Sequence, residues 1–166
     1  MSDELLDIVN EHDEVIGQGF RADVLTKKLG CRVINAFLIN NKNELWIPVR
    51  SPRKKLFPSC LDMSVGGFVA AGETYKQAFE REAKEELNID LQKYEFTEIA
   101  KLSPIDNVSC HMMVYIIDTN KTPLYNTNDF VSGQWLSIEE IKEKIASGQP
   151  AKGDLLQLLE IVKKTI

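Results

Sequence analysis

Apolar positions recur along this chain with two periods, and the switches between them lay out its secondary structure. Leu5–Val9 and Val15–Phe20 flank the polar triplet His12-Asp13-Glu14 and read as a β-hairpin. Residues 22–29 read as a short helix or turn ended by Gly30. Arg32–Ile39 alternates and is rich in Val, Ile and Phe, which predicts a strand; 40–43 is a turn and 44–49 the next strand. A polar loop with Pro52 and Pro58 leads to a strand over 63–68. The period then becomes helical, with Phe79, Ala83 and Leu87 at i, i+4 and i+8 forming a buried stripe. Thr74-Tyr75-Lys76-Gln77 is a capping box for this helix, Gly72 permits a sharp turn before it, and Asn88 tolerates the left-handed conformation that ends helices. Strands follow near 94–102, 111–117 and 131–136. Residues 137–145 open with a second capping box, Ser137 with Glu140. Residues 154–164 form a final amphipathic helix with Leu155, Leu158, Leu159 and Val162 on its apolar face.

Strands mixed with a few helices, without strict alternation, predict an α+β protein or an α/β/α sandwich. No repeat, linker or low-complexity segment divides the 166 residues, so a single domain over 1–166 is expected. A hydrophobic content of 43% and a charged content of 27% are those of an ordinary soluble globular chain. The formal charge of −5 argues against a nucleic-acid polymer or an anionic membrane as partner. No apolar run approaches the roughly 20 residues of a membrane helix. The first residues, MSDELLDIVNEHDE, are acidic and lack the basic and apolar regions of a secretion signal. Cys31, Cys60 and Cys110 are odd in number and widely spaced, which indicates neither a disulfide framework nor a zinc site; a reducing cytoplasm is the expected compartment. The N-terminal hairpin offers an edge for a homodimer, though nothing in the sequence requires one.

The chemistry concentrates in the first long helix and the loop before it. Glu82, Glu85 and Glu86 stand at i, i+3 and i+4, so their side chains share one helical face and repel one another. Glu85 and Glu86 also lie in the last turn, where the helix dipole disfavours negative charge. A hard divalent cation with oxygen ligands, Mg2+ or Mn2+, would relieve that repulsion. Upstream, Arg50-Ser51-Pro52-Arg53-Lys54-Lys55 is a basic run in an acidic chain, a few residues before the acidic helix. Arg50 and Lys54 or Lys55 are candidate clamps for a diphosphate, with Arg21 a weaker member of the group.

The stretch GFVAAGETYKQAFEREAKEELNI, from Gly67 to Ile89, resembles the Nudix box, Gly-x5-Glu-x7-Arg-Glu-U-x-Glu-Glu-x-Gly-U with U a bulky aliphatic residue. Gly67, Glu73, Arg81, Glu82, Glu85, Glu86 and Ile89 fit it; Ala83 is small for its U position and Asn88 replaces the last glycine. The resemblance implies attack by water on one phosphorus of a small-molecule diphosphate, with a divalent metal as cofactor. It further implies that Glu82 and Glu86 are direct metal ligands, that Glu85 binds directly or through water, and that the Gly67 carbonyl is a further ligand. Glu73 would hold Arg81, which in turn would orient Glu82. In several relatives the general base lies on a loop before a tryptophan-containing strand. Here that loop precedes Trp135 and its one carboxylate is Asp129; Glu98 is a weaker candidate.

The segment RSPRKKLFPSCLDMSVGGFVAAGE, Arg50 to Glu73, is similar to the isopentenyl-diphosphate isomerase branch of the same superfamily, and CRVINAFLIN extends the likeness. That isomerase needs a cysteine just before the box, where this chain has Gly66. A family metal-binding histidine is replaced by Phe68, and the histidines expected near 31–36 are absent. The resemblance therefore implies an isomerase-like hydrolase, with isomerisation and a non-catalytic ligand-binding module as the alternatives.

Overall fold

The structure is a computed structural model and describes residues 3–166. Its elements are β1 (Leu5–Val9), β2 (Val15–Phe20), α1 (Arg21–Thr26), β3 (Arg32–Ile39), β4 (Leu45–Arg50), β5 (Val65–Phe68), α2 (Tyr75–Leu87), β6 (Glu95–Leu102), β7 (His111–Asp118), β8 (Phe130–Leu136), α3 (Ile138–Ala146) and α4 (Leu155–Thr165). Strands β1 and β2 form a separate antiparallel hairpin. The other strands form a mixed sheet in the order β6-β7-β3-β4-β8, with β5 also paired to β3; the β3–β7 pair is parallel and the rest antiparallel.

The alternation in β3 sets the layers. Ile34, Ala36 and Leu38 join Phe79, Ala83 and Leu87 of α2 in one core. Phe37 and Ile39 pack with Ile141 of α3 and Leu155, Leu158, Leu159 and Val162 of α4 on the other face. Helices thus cover both faces of the sheet, the sandwich that the pattern predicts. On the α2 side Phe79 stacks on Tyr115 with ring centroids 4.1 Å apart, which fixes the helix against β7.

A forked edge of β3 makes room for the acidic loop. Strand β4 pairs with β3 only at Ile39–Leu45 and then diverges, and β5 takes the same edge further back, opposite Val33 to Ala36. Ser64 fills the fork: its hydroxyl accepts from Leu38 N–H at 2.9 Å and donates to the Trp46 carbonyl at 2.5 Å. One side chain thereby replaces a missing ladder rung between two fully buried backbone segments.

Three expectations from the sequence change. The strand expected over 63–68 begins only at Val65, because Ser64 bridges two strands instead of pairing within one. The helix expected over 22–29 ends at Thr26, and Lys28 takes the left-handed turn at φ 53°. Gly30 is no helix stop; it lies where any Cβ would run into the Val9 carbonyl, and it accepts a 3.0 Å hydrogen bond from Val9 N–H. Finally, two cysteines that lie far apart in sequence meet: Cys31 and Cys110 head the parallel strands β3 and β7, where residues in register are neighbours, and their sulfurs are 2.6 Å apart. Cys110 precedes β7 rather than belonging to it, and His111 turns away to the Asn10 carbonyl at 3.0 Å.

Removing the Ser64 hydroxyl strands a buried N–H and a buried carbonyl, at about 1–3 kcal/mol for each group left without a partner. Ser64→Ala is therefore expected to lower unfolding free energy by at least about 2 kcal/mol in chemical denaturation, while Gly153→Ala, where an added methyl meets only open space, changes it little. Equal stabilities for the two variants would contradict this role for Ser64.

Candidate active site

Helix α2 is placed by its ends. Thr74 Oγ1 accepts from Gln77 N–H at 3.1 Å and Gln77 Oε1 accepts from Thr74 N–H at 2.9 Å, closing the capping box, and Asn88 adopts the left-handed conformation at φ 55°. With the Phe79–Ala83–Leu87 stripe buried, the neighbouring face of Glu82 and Glu86 is driven to the edge of the core beside β5.

Arg81 organises that edge. Its guanidinium donates to both oxygens of Glu73 at 2.8 and 2.9 Å, to Glu82 Oε1 at 2.7 Å and to the Phe68 carbonyl at 3.0 Å, and it reaches Glu85 at 3.5 Å. The hydrogen bonds from Arg81, outweighing burial, hold the Glu73 carboxyl below its ordinary range, and the same partners raise the Arg81 proton affinity further. One cation therefore ties the loop at Glu73, the end of β5 and the acidic helix into one frame.

The N-terminal hairpin completes the frame, a role that the sequence reading missed. Glu4 lies 3.8 Å from Arg81, and Asp7 accepts from Gly72 N–H at 2.9 Å. Ala71 N–H donates to the Leu5 carbonyl, so the loop before α2 is laced onto β1. The one available signal was Asp7, a charged residue within an otherwise apolar strand. At the hairpin tip Asp13 is held by Arg32 at 2.6 Å and by the Tyr75 hydroxyl at 2.9 Å, which fastens it to the start of α2.

Two carboxyls lie inside this frame. Glu86 is buried, with one oxygen accepting from Gly66 N–H at 3.0 Å. Burial first, then the charges of Glu82, Asp62 and Asp129, raise its proton affinity well above the ordinary value. Burial likewise pushes Glu82 up to about 7, against the pull of Arg81. Gly67 is what lets Glu82 lie so close to the strand, since any Cβ there would occupy the space of the Glu82 carboxyl. Glu85 is more exposed and leans toward Arg81. Among the described residues no three ligating side chains already converge on one point. The donor set still suits a hard cation: two crowded carboxyls with raised proton affinity, a backbone carbonyl at Gly67, and Glu85 on the same helical face.

The loops bring further charge to the same place. Asp129 is ion-paired with Lys54, its carbonyl accepts from Ser51 N–H at 2.8 Å, and Asn126 N–H donates to the Glu86 carbonyl at 2.7 Å. The loop before β8 and the basic loop thus both reach the end of α2. Lys55 is exposed beside them. Arg50 is buried and turned inward: it donates to the Leu56 and Phe57 carbonyls and to Asp62 at 2.7 Å, which shapes the basic loop from within. Arg21 pairs with Asp3 and Glu4 and lies over the Phe68 ring. Glu98 is exposed on the edge strand β6, opposite Tyr115. Asp62, which the sequence did not single out, is buried between Arg50 and Lys152, the latter at 3.4 Å.

The chain and its fold have counterparts among known proteins. Residues 31–159 match the NUDIX domain family. The chain is similar to a Nudix hydrolase of Deinococcus radiodurans, at 49% identity over 160 residues that make up 96% of this chain and 94% of that protein. It superposes on a crystal structure from the same organism with a TM-score of 0.90 and 48% identity, over 95% of this chain and 98% of the other. It is also similar to isopentenyl-diphosphate Delta-isomerase 1 of Photorhabdus laumondii, at 27% identity over 86% of this chain and 84% of that protein. With a match across most of its length and a relative nearly half identical from end to end, the chain belongs to the Nudix hydrolase family.

Proposed function

We propose that this protein hydrolyses the diphosphate linkage of a small molecule, a nucleoside diphosphate derivative, with Mg2+ or Mn2+ as cofactor. The observation that carries the reading is the crowding of half-buried Glu82 against buried Glu86, each with its proton affinity raised. Such crowding is unfavourable in the metal-free protein and is relieved when a doubly charged ion replaces the protons.

Glu82, Glu86 and the Gly67 carbonyl hold the ion, with Glu85 joining directly or through water. A bound divalent ion neutralises phosphate oxygens and lowers the pKa of coordinated water. Glu73 and Arg81 keep Glu82 in place, a supporting role that matters for metal affinity. Asp129 accepts the proton of the attacking water, and its pairing with Lys54 supports this by keeping the carboxylate beside the acidic helix. Lys54 and Lys55 face the transferred phosphate charge, while Arg50 orders the loop that presents them.

Isomerisation would need a thiol at position 66. This chain has glycine there, with the Asn35 amide oxygen 2.8 Å from where a Cβ would lie. The missing thiol supports hydrolysis over double-bond migration.

Glu86→Gln is expected to leave the fold intact and to reduce metal-dependent phosphate or monophosphate release by more than about a hundredfold, assayed against nucleoside diphosphates, nucleotide sugars, dinucleoside polyphosphates and prenyl diphosphates. Wild-type turnover in that variant, or double-bond migration without hydrolysis, would end the reading. Asp129→Asn is expected to lower kcat by roughly 10²–10⁴ with little change in KM; a change confined to KM would move Asp129 from base to binding residue. The pH dependence follows from Glu82, which keeps its proton to about 7 in the folded chain and loses it near 4.5 when unfolded. Between these values the folded form binds more protons, so raising the pH weakens folding. The metal-free melting temperature should therefore fall across this window, less so in Glu82→Gln, and Mg2+ should abolish the fall. A metal-free melting temperature that climbs there would contradict the raised proton affinity.

A further inference from the structure

We infer that Cys31 and Cys110 form a site of reversible oxidation, closing to a disulfide that staples the heads of β3 and β7 beneath the N-terminal hairpin. The two residues are register neighbours at the start of a parallel strand pair, next to Arg32–His111, and His111 N–H donates to the Cys31 carbonyl at 3.0 Å. Adjacent parallel strands hold their Cα atoms within the span a disulfide bridges, so closing the bond needs no rearrangement of the sheet. The sulfurs already lie 2.6 Å apart, and both side chains are buried in a small cluster with Leu6 and Val24, walled by Ile8, Val33 and Phe68.

The two sulfurs are not equivalent. Cys110 is 6% exposed against 1% for Cys31, which makes it the more accessible of two buried residues. A hydrogen bond with the Cys31 thiol, outweighing burial, favours the Cys110 thiolate, and the Ser109 hydroxyl adds to it. Hydrogen peroxide is an oxidant of the right size. The Cys110 thiolate attacks one peroxide oxygen, breaking the O–O bond and leaving a sulfenic acid and hydroxide. The Cys31 sulfur then attacks the Cys110 sulfur, forming the S–S bond and displacing the sulfenic oxygen as water, its thiol proton leaving with it. Overall two thiols and one peroxide give one disulfide and two waters, and two electrons pass from sulfur to oxygen.

The staple would enclose β3 to β6 and the whole acidic loop and helix within one covalent ring. It would act on the end of β5 through Phe68, whose ring packs on the cysteine cluster and whose carbonyl is held by Arg81. Cys60, half-buried on the basic loop with its thiol toward the Pro58 carbonyl, stands outside this arrangement and serves as the reference thiol.

The test treats the folded, full-length protein with graded hydrogen peroxide, blocks remaining thiols by alkylation and maps tryptic peptides without reduction. The expected product links peptide 29–32 to peptide 102–121, two hydrogens lighter than the sum of the free peptides, and reverts with a dithiol reductant. It should appear in the monomer and raise the melting temperature by on the order of 10 °C, a shift absent in Cys31→Ser and retained in Cys60→Ser. In Cys31→Ser the Cys110 sulfenic acid should be trapped by a dicarbonyl reagent. Sulfinic or sulfonic acid on Cys110 without the cross-link would overturn the inference. So would full alkylation of Cys31 and Cys110 after Cys60 has been oxidised.

Discussion

The structure turns on a single guanidinium. Arg81 binds Glu73, Glu82 and the Phe68 carbonyl at once, with Glu4 and Glu85 within ion-pair reach. Without a cation at that position, four carboxyls would face one another across a half-buried edge, and α2 would lose its hold on the loop before it. With it, Glu82 is fixed against the backbone at Gly67, and Glu86 beside it is left to a single hydrogen bond from Gly66. Burial raises the proton affinity of Glu82 and Glu86, and the neighbouring carboxylates add to it. Two carboxyls that burial disfavours as anions are the physical basis for expecting a divalent ion there.

The rest of the fold positions this edge. The fork between β4 and β5, bridged by Ser64, lets β5 end beside α2 while β4 and β8 carry the basic loop and the Asp129 loop toward the same end of the helix. Arg50 stiffens the basic loop by binding its carbonyls, leaving Lys54 to meet Asp129. The hairpin of β1 and β2 closes the loop from the far side through Asp7 and Gly72. Residues from several separate stretches of chain thus surround buried Glu86 and half-buried Glu82.

What was legible in the sequence was local. The capping boxes of α2 and α3, the left-handed Asn88 and the alternation of β3 all read correctly, because each depends on residues within one or two turns of one another. The acidic cluster and its guanidinium were legible for the same reason. What escaped depends on strand register, which no short window contains. Ser64 looked like part of a strand because its role lies in two other strands. Glu4 and Asp7 drew no reading of their own because the loop they hold is more than sixty residues away. Cys31 and Cys110 looked unrelated until parallel pairing of β3 with β7 made them neighbours. Arg50 carried the right charge in the right loop, yet its burial turns the charge inward.

The most direct test of the account is a calorimetric titration of the metal-free protein with Mn2+ near pH 6.5, repeated in buffers of different ionisation enthalpy so that released protons can be counted. If Glu82 and Glu86 hold protons that the ion displaces, binding releases about one proton or more per ion, and the release diminishes when Glu82 is replaced by Gln. Binding with no proton release, or with equal release after that replacement, would show that these carboxyls do not hold the ion.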